Sequence, residues 1–276
     1  MPVARNGSVN LHWESTGQGP AVLLLAGQGM TLPGWWSTIP ALARSFRVIA
    51  FDSRDTGRSS RVPLPYTVAQ LAGDALAVLD AAGEQRAHVY GISLGGSVAQ
   101  ELALRHPDRV QALVLGASSP GGLHAVLPGP LALTFFARAG SMGPEEAEWA
   151  AVPYTYAEVT RRLHADRIAE NIARRVSSPP GALAYLHQAA AVATHNTFSR
   201  LGRIAAPTLV VHGEQDAVVP PANGRLLARR IPGAELRLWP EAGHLYIIDE
   251  PRANLEIARF LRRHSADWAA PDTAVA

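Results

Sequence analysis

What most constrains this chain is a series of short, mostly apolar runs, each closed by glycine or aspartate. They are "AVLLLAG" (21–27), "FRVIAFD" (46–52), "AHVYG" (87–91) and "VQALVLG" (110–116). None alternates apolar with polar residues, so each reads as a strand buried on both faces, as in parallel sheets. Between them, "VAQLAGDALAVLDAAG" (68–83) and "SVAQELALRH" (97–106) carry apolar residues at helical spacing. Gly83 suits a helix C-terminus and Pro107 stops the second helix. Strand, helix, strand in succession is the βαβ rhythm of a doubly wound α/β sheet. Ahead of it, "NGSVNLHWES" (6–15) alternates around Val9, Leu11 and Trp13, which predicts a half-exposed strand after an Asn-Gly turn.

The rhythm breaks near Pro120. From there to Arg200 no strand is expected; "GPEEAEWAAV", "YAEVTRRLHADRIAENIARR" and "GALAYLHQAAAVATH" read as helices between Gly/Pro/Ser turns. Strand character returns at "PTLVVHG" (207–213) and "ELRLWP" (235–240), and a last helix runs through "PRANLEIARFLRRH" (251–264). The tail "SADWAAPDTAVA" (265–276) is expected to be loosely ordered. The organisation predicted is an α/β core over 1–119 and 201–276, interrupted by an all-helical insertion over 120–200. A length of 276 residues fits one such domain better than two.

Composition removes several chemistries. There is no cysteine, hence no disulfide, thiolate nucleophile or Cys-ligated zinc. All 25 basic residues are arginine, so neither a Schiff-base lysine nor a P-loop lysine is available. The net charge is only +2 and the arginines are scattered, which argues against a nucleic-acid partner. No apolar run approaches the ~20 residues of a membrane span, and the N-terminal residues show no signal-peptide pattern. The chain is expected to be cytoplasmic, without a membrane partner, and a monomer or homodimer.

Chemistry concentrates at the strand ends. "GISLGG" (91–96) sets Ser93 between a predicted strand and a predicted helix, where a sharp turn needs neighbours without side chains. The turn leaves the Leu94 N–H at a helix N-terminus, where it can donate to a developing oxyanion. A serine hydroxyl needs a base, and the base an orienting acid. Asp216 in "HGEQDAVVP" lies just past one strand, and His244 in "EAGHLYIIDEP" just past the last. In a parallel sheet these carboxyl ends share one edge, where ligand crevices open. Glu214 is the alternative acid, and Asp216 could instead cap the next helix. His88, His106, His187, His195 and His212 read as structural or solvated. Arg54 and Arg58 read as ion-pair residues rather than substrate anchors.

These residues together resemble the α/β-hydrolase fold family over nearly the whole length. The resemblance rests on "LLLAGQGM" (23–30), "FRVIAFDSRDTGRSS" (46–60), "GISLGGSVAQ" (91–100), "HPDRVQALVLGAS" (106–118), "PTLVVHGEQDAVVP" (207–220) and "AGHLYIIDEP" (242–251). The chain is most similar to the cap-bearing esterase and lactonase branch. "DSRDTGRSS" resembles polyketide methylesterases, and "PYTVAQLAGDALAVLDAAG" resembles enol-lactonases equally well. The resemblance implies an eight-stranded, mostly parallel sheet flanked by helices, with the insertion as a helical cap.

It also implies Ser93 as nucleophile, Asp216 as acid, His244 as base, and the Leu94 and Gln28 backbone N–H groups as the oxyanion hole. Ala26-Gly27 stands where the family has His-Gly, which puts the shape of that loop in doubt. The Gln28 side chain is expected near the acyl pocket. Met30, Trp36, Trp149, Tyr154 and Tyr246 are the expected pocket residues. No cofactor and no metal are expected. The function implied is hydrolysis of an ester or lactone of a small to medium apolar substrate through an acyl-enzyme. A thioesterase is the alternative, as is a non-hydrolytic catalyst on the same fold (cyclase, lyase or perhydrolase) or a ligand-binding protein.

Overall fold

The computed structural model describes residues 2–139 and 141–265. The tail expected to be loose lies, from residue 266 onward, outside the described residues. In chain order the strands are β1 (Val3–Asn6), β2 (Val9–Thr16), β3 (Ala21–Leu25), β4 (Arg47–Phe51), β5 (Ala87–Ile92), β6 (Val110–Gly116), β7 (Thr208–Gly213) and β8 (Glu235–Trp239). The helices are α1 (Thr38–Leu42), α2 (Val68–Ala81), α3 (Leu94–Arg105), α4 (Pro130–Ala139), α5 (Pro144–Thr155), α6 (Glu158–Leu163), α7 (Ala165–Val176), α8 (Ala182–Thr194), α9 (Ala222–Arg230), α10 (Tyr246–Asp249) and α11 (Arg252–Arg263).

The strands form one eight-stranded sheet in the order β1-β2-β4-β3-β5-β6-β7-β8. β2 runs antiparallel to β1 and β4; every other pairing is parallel. The fold is the α/β-hydrolase architecture that the sequence predicts. β3, β5 and β7 are buried along their full lengths, which is why their sequences do not alternate. Successive side chains still point to opposite faces. Leu23 and Val89 join Leu71, Val78 and Leu102 of α2 and α3 on one side, while Val22, Leu24 and Tyr90 join Leu42, Ile257 and Phe260 of α1 and α11 on the other. Thr67 caps α2 through a reciprocal bond pair with Gln70, and Gly83 ends it in the left-handed region at φ +77°.

Two elements differ from expectation. β1 pairs with β2 across the turn at Gly7, and the sequence reading places no strand there because "VARN" has no clear period. The stretch predicted as one helix over 156–175 is two, broken at His164, whose backbone leaves the helical region at φ −135° and ψ 42°. From β6 to β7 the chain runs through α4–α8, with no strand between them among the described residues. It leaves and re-enters the core side by side, joined by a bridge between Gly121 and Asn196.

Candidate active site

Ser93 closes β5 and opens α3. Its backbone is held at φ +56° and ψ −120°, a conformation that costs a non-glycine residue on the order of 1–3 kcal/mol unless its surroundings fix it. They do. The Ser93 N–H donates to Gly116 O at 2.8 Å, and Ser93 O accepts from Gly96 N (2.9 Å), Ser97 N (3.2 Å) and Ser118 Oγ (2.9 Å). A Cβ on Gly95 would overlap the Leu25 carbonyl, and one on Gly91 would overlap Gly95. The glycines around the serine are therefore required by close packing of strand against helix.

Two backbone donors flank this turn. Leu94 is the first residue of α3, so helix geometry gives its N–H no partner. Gln28 follows Gly27, where a Cβ would stand 3.4 Å from Ser93 Cβ. Among the described residues, neither the Leu94 nor the Gln28 backbone N–H donates to a protein acceptor. The Gln28 side chain reaches α8, where its Nε2 donates to Tyr185 O at 3.1 Å.

Asp216 and His244 stand past β7 and β8, on the same sheet edge as Ser93. His244 Nδ1 and Asp216 Oδ2 are 2.8 Å apart. A carboxylate there makes Nδ1 the protonated nitrogen and leaves Nε2 with a lone pair. Asp216 takes two more N–H bonds at Oδ1, from Val218 (2.9 Å) and Val219 (2.8 Å). Burial works to raise its carboxyl, but the His244 charge and the bonds from His212 and His244 outweigh that and hold it below the usual carboxylate range. His212, read from sequence as a structural strand-end residue, is thus a second partner of the acid. Its Nε2 lies 3.2 Å from Asp216 Oδ2 and 2.8 Å from Val219 O. Glu214, the alternative acid, pairs instead with Arg225 at the surface.

The loop carrying His244 is fixed from below and above. Below, a Cβ on Gly116 would overlap the Tyr246 hydroxyl, which sets that loop directly beside the carbonyl that anchors Ser93. Above, Leu245 N donates to Thr155 O (2.9 Å), and Asp249 Oδ2 accepts from both Gly243 N (2.7 Å) and Ala157 N (3.1 Å). Burial drives the Asp249 carboxyl above its ordinary range against the pull of these bonds. Glu158 N donates to Gln215 Oε1 (2.9 Å), tying the same α5–α6 junction to the acid loop. Ser93 Oγ makes no hydrogen bond to His244 among the described residues; such contacts commonly tighten only when substrate is bound.

The remaining candidates are placed as follows. Arg54 forms a buried two-point bond with Asp74, and Arg58 pairs with Glu14, as ion-pair readings expect. His88 bonds Ser265 inside the core, His187 bonds the buried Asp55, and His195 lies buried where α8 ends. Met30 is buried against Gly34. Trp36 Nε1 donates to Asn171 of α7, and Tyr154 stacks on Phe135 of α4. Trp149 is 46% exposed, and Tyr246 has no exposed surface and shares a 2.6 Å bond with the Tyr90 hydroxyl. Among the described residues no group of three or more His, Asp or Glu side chains is arranged to hold a metal ion. Among the same residues no helix is long and apolar enough to cross a membrane.

Comparison with known proteins agrees with this fold. The profile of the alpha/beta hydrolase fold family matches residues 20–251. A RutD protein of Variovorax paradoxus (strain S110), provisionally named a carbamate hydrolase, is 34% identical over 93% of this chain and 97% of its own. The enol-lactonase of Burkholderia xenovorans LB400 superposes with a TM-score of 0.82 at 26% identity, covering 94% of this chain and 99% of that one. Est816, described as an N-acyl homoserine lactone degrading enzyme, superposes at 0.77 with 31% identity, covering 94% and 99%.

Proposed function

The chain belongs to the α/β-hydrolase fold family, and from that premise we propose that it is a serine hydrolase cleaving the ester or lactone carbonyl of a small to medium apolar substrate. The observation that carries this reading is the 2.8 Å Asp216–His244 bond on the sheet edge that also presents Ser93, beside two uncommitted backbone donors. Ser93 Oγ attacks the carbonyl carbon while His244 Nε2 takes its proton. The Gln28 and Leu94 N–H groups receive the oxyanion, and Asp216 stabilises the imidazolium. Collapse returns the proton from His244 to the leaving alkoxide, which departs as an alcohol or, from a lactone, stays attached as a hydroxyl. Water then gives a proton to His244 and its oxygen to the acyl carbon, and the acid leaves as Ser93 regains its proton.

Carbamate hydrolysis is the second reading, favoured by the name of the Variovorax relative. It uses the same attack and differs in the group expelled. Ser93→Ala is expected to lower turnover of p-nitrophenyl butyrate by several orders of magnitude, on the scale found when a triad serine is removed. Intact-protein mass spectrometry should show a fluorophosphonate adduct on the native chain and none on the variant. Near-full activity in the variant overturns the reading. An unlabelled, inactive native chain that still binds ester ligands points to the binding-protein alternative.

A further inference from the structure

We infer that Gln188, on α8, is a positioning residue for the oxyanion hole, so that the hole is assembled by the insertion as well as by the core. The inference rests on the serine-hydrolase reading above and goes beyond it.

The loop from Gly27 to Met30 has little of its own to hold it. Its one internal backbone bond is a turn from Met30 N to Gly27 O at 3.1 Å. Gly29 sits in the left-handed region at φ +70°, where glycine has many conformations open to it. The constraint comes from α8. Gln188, itself 1% exposed, accepts the Gly29 N–H at Oε1 across 2.7 Å. Tyr185 O accepts from the Gln28 side chain at 3.1 Å, and the Pro180 and Tyr185 rings stand over Gly29, 3.5 Å from where its Cβ would be. Gly29 N and Gln28 O share one peptide unit. Holding that unit through Gln188, and the Gln28 side chain through Tyr185 O, restricts rotation about both bonds at the Gln28 Cα, and so narrows the directions in which the neighbouring Gln28 N–H can point. The preceding residue on the helix, His187, anchors this turn of α8 to the core through a 3.0 Å bond to buried Asp55 Oδ2. One bond holds the helix down and the next aims the donor. The core holds the loop only at its two ends, through Gly27, which abuts Ser93, and through Met30, which packs against Gly34.

Loss of an oxyanion donor costs about 10²–10³ in kcat. A donor present but misaimed should cost less, about 10–100-fold, with little effect on ground-state binding. Three variants separate the possibilities, assayed with p-nitrophenyl butyrate. Gln188→Met keeps length and volume but removes the acceptor; it should lower kcat about 10–100-fold and leave KM within about threefold. Gln188→Glu keeps an acceptor and should recover most of that loss. Ser93→Ala is the control for the underlying reading. If Ser93→Ala is inactive while Gln188→Met keeps kcat within about twofold, the inference falls and the hydrolase reading stands. A rise in KM at constant kcat also overturns it, because Gln188 would then be binding substrate. Should the Gln188 variants not fold, hydrogen exchange on the native protein decides: a protected Gly29 amide is expected, and one exchanging as fast as an exposed loop amide refutes the inference.

Discussion

His195 places a buried ring at the root of the insertion, and protonating it, like protonating the buried His88, works against folding in acid. It follows the last residue of α8 and packs its carbonyl and ring against Gly121, beside the Gly121–Asn196 bridge. The ring is 5% exposed, and among the described residues its Nε2 has no hydrogen-bond partner. Burial is the main cause that pushes its pKa from 6.5 down to about 4; Glu101 pulls it up and Arg200 pushes it further down. A native pKa below the unfolded one means that the unfolded chain takes up a proton first as pH falls. The stability this ring permits is therefore intact above about pH 6.5 and is lost progressively toward pH 4. At about 1.4 kcal/mol per pH unit, the gap is worth roughly 3 kcal/mol in full and about 2–3 kcal/mol by pH 4.5. His195→Leu removes the titration. Urea unfolding of the native and variant proteins at pH 7.5 and pH 4.5 gives the double difference. The native chain should lose about 2–3 kcal/mol more than the variant between the two pH values. Equal losses would refute the assignment of a neutral buried ring.

Other substitutions report on the site itself. Asp216→Asn should lower kcat on the order of 10³-fold or more, because the amide no longer holds His244 in its reactive tautomer. It should also cost about 1–3 kcal/mol in thermal melts, since Asp216 faces the N–H groups of Val218, Val219, His212 and His244 and an NH₂ must confront some of them. Gly95→Ala forces a methyl into the Leu25 carbonyl; fluorophosphonate labelling of Ser93 should slow at least tenfold, and unchanged labelling would show that the elbow relaxes freely.

Strand runs and strand-end residues were legible because both are local. A strand buried on both faces announces itself by the absence of alternation, and Ser93, Asp216 and His244 each sit within a few residues of such a strand. What the sequence hid depends on distant partners. Trp36 is drawn to Asn171, 135 residues away, and Gly29 to Gln188, 159 away, and no periodicity within either segment encodes these bonds. The break between α6 and α7 carries neither glycine nor proline, so helix propensity runs through it unmarked. His212 was the nearer miss. Its spacing of four from Asp216 was visible, but only the turn after β7 shows that the ring folds back onto the acid.

The ties that hold the α5–α6 junction to the loops of His244 and Asp216 have a consequence for diversification. On the junction's side they use the Thr155 carbonyl and the Ala157 and Glu158 amides, groups that almost any residue supplies. Side chains along these helices can therefore drift, by chance or by design, without unseating the loops beneath. Libraries that randomise Trp149, Tyr154 and their neighbours while leaving chain length untouched should yield folded catalysts with altered substrate range. A single-residue insertion between Thr155 and Glu158 should be far more damaging than any substitution there.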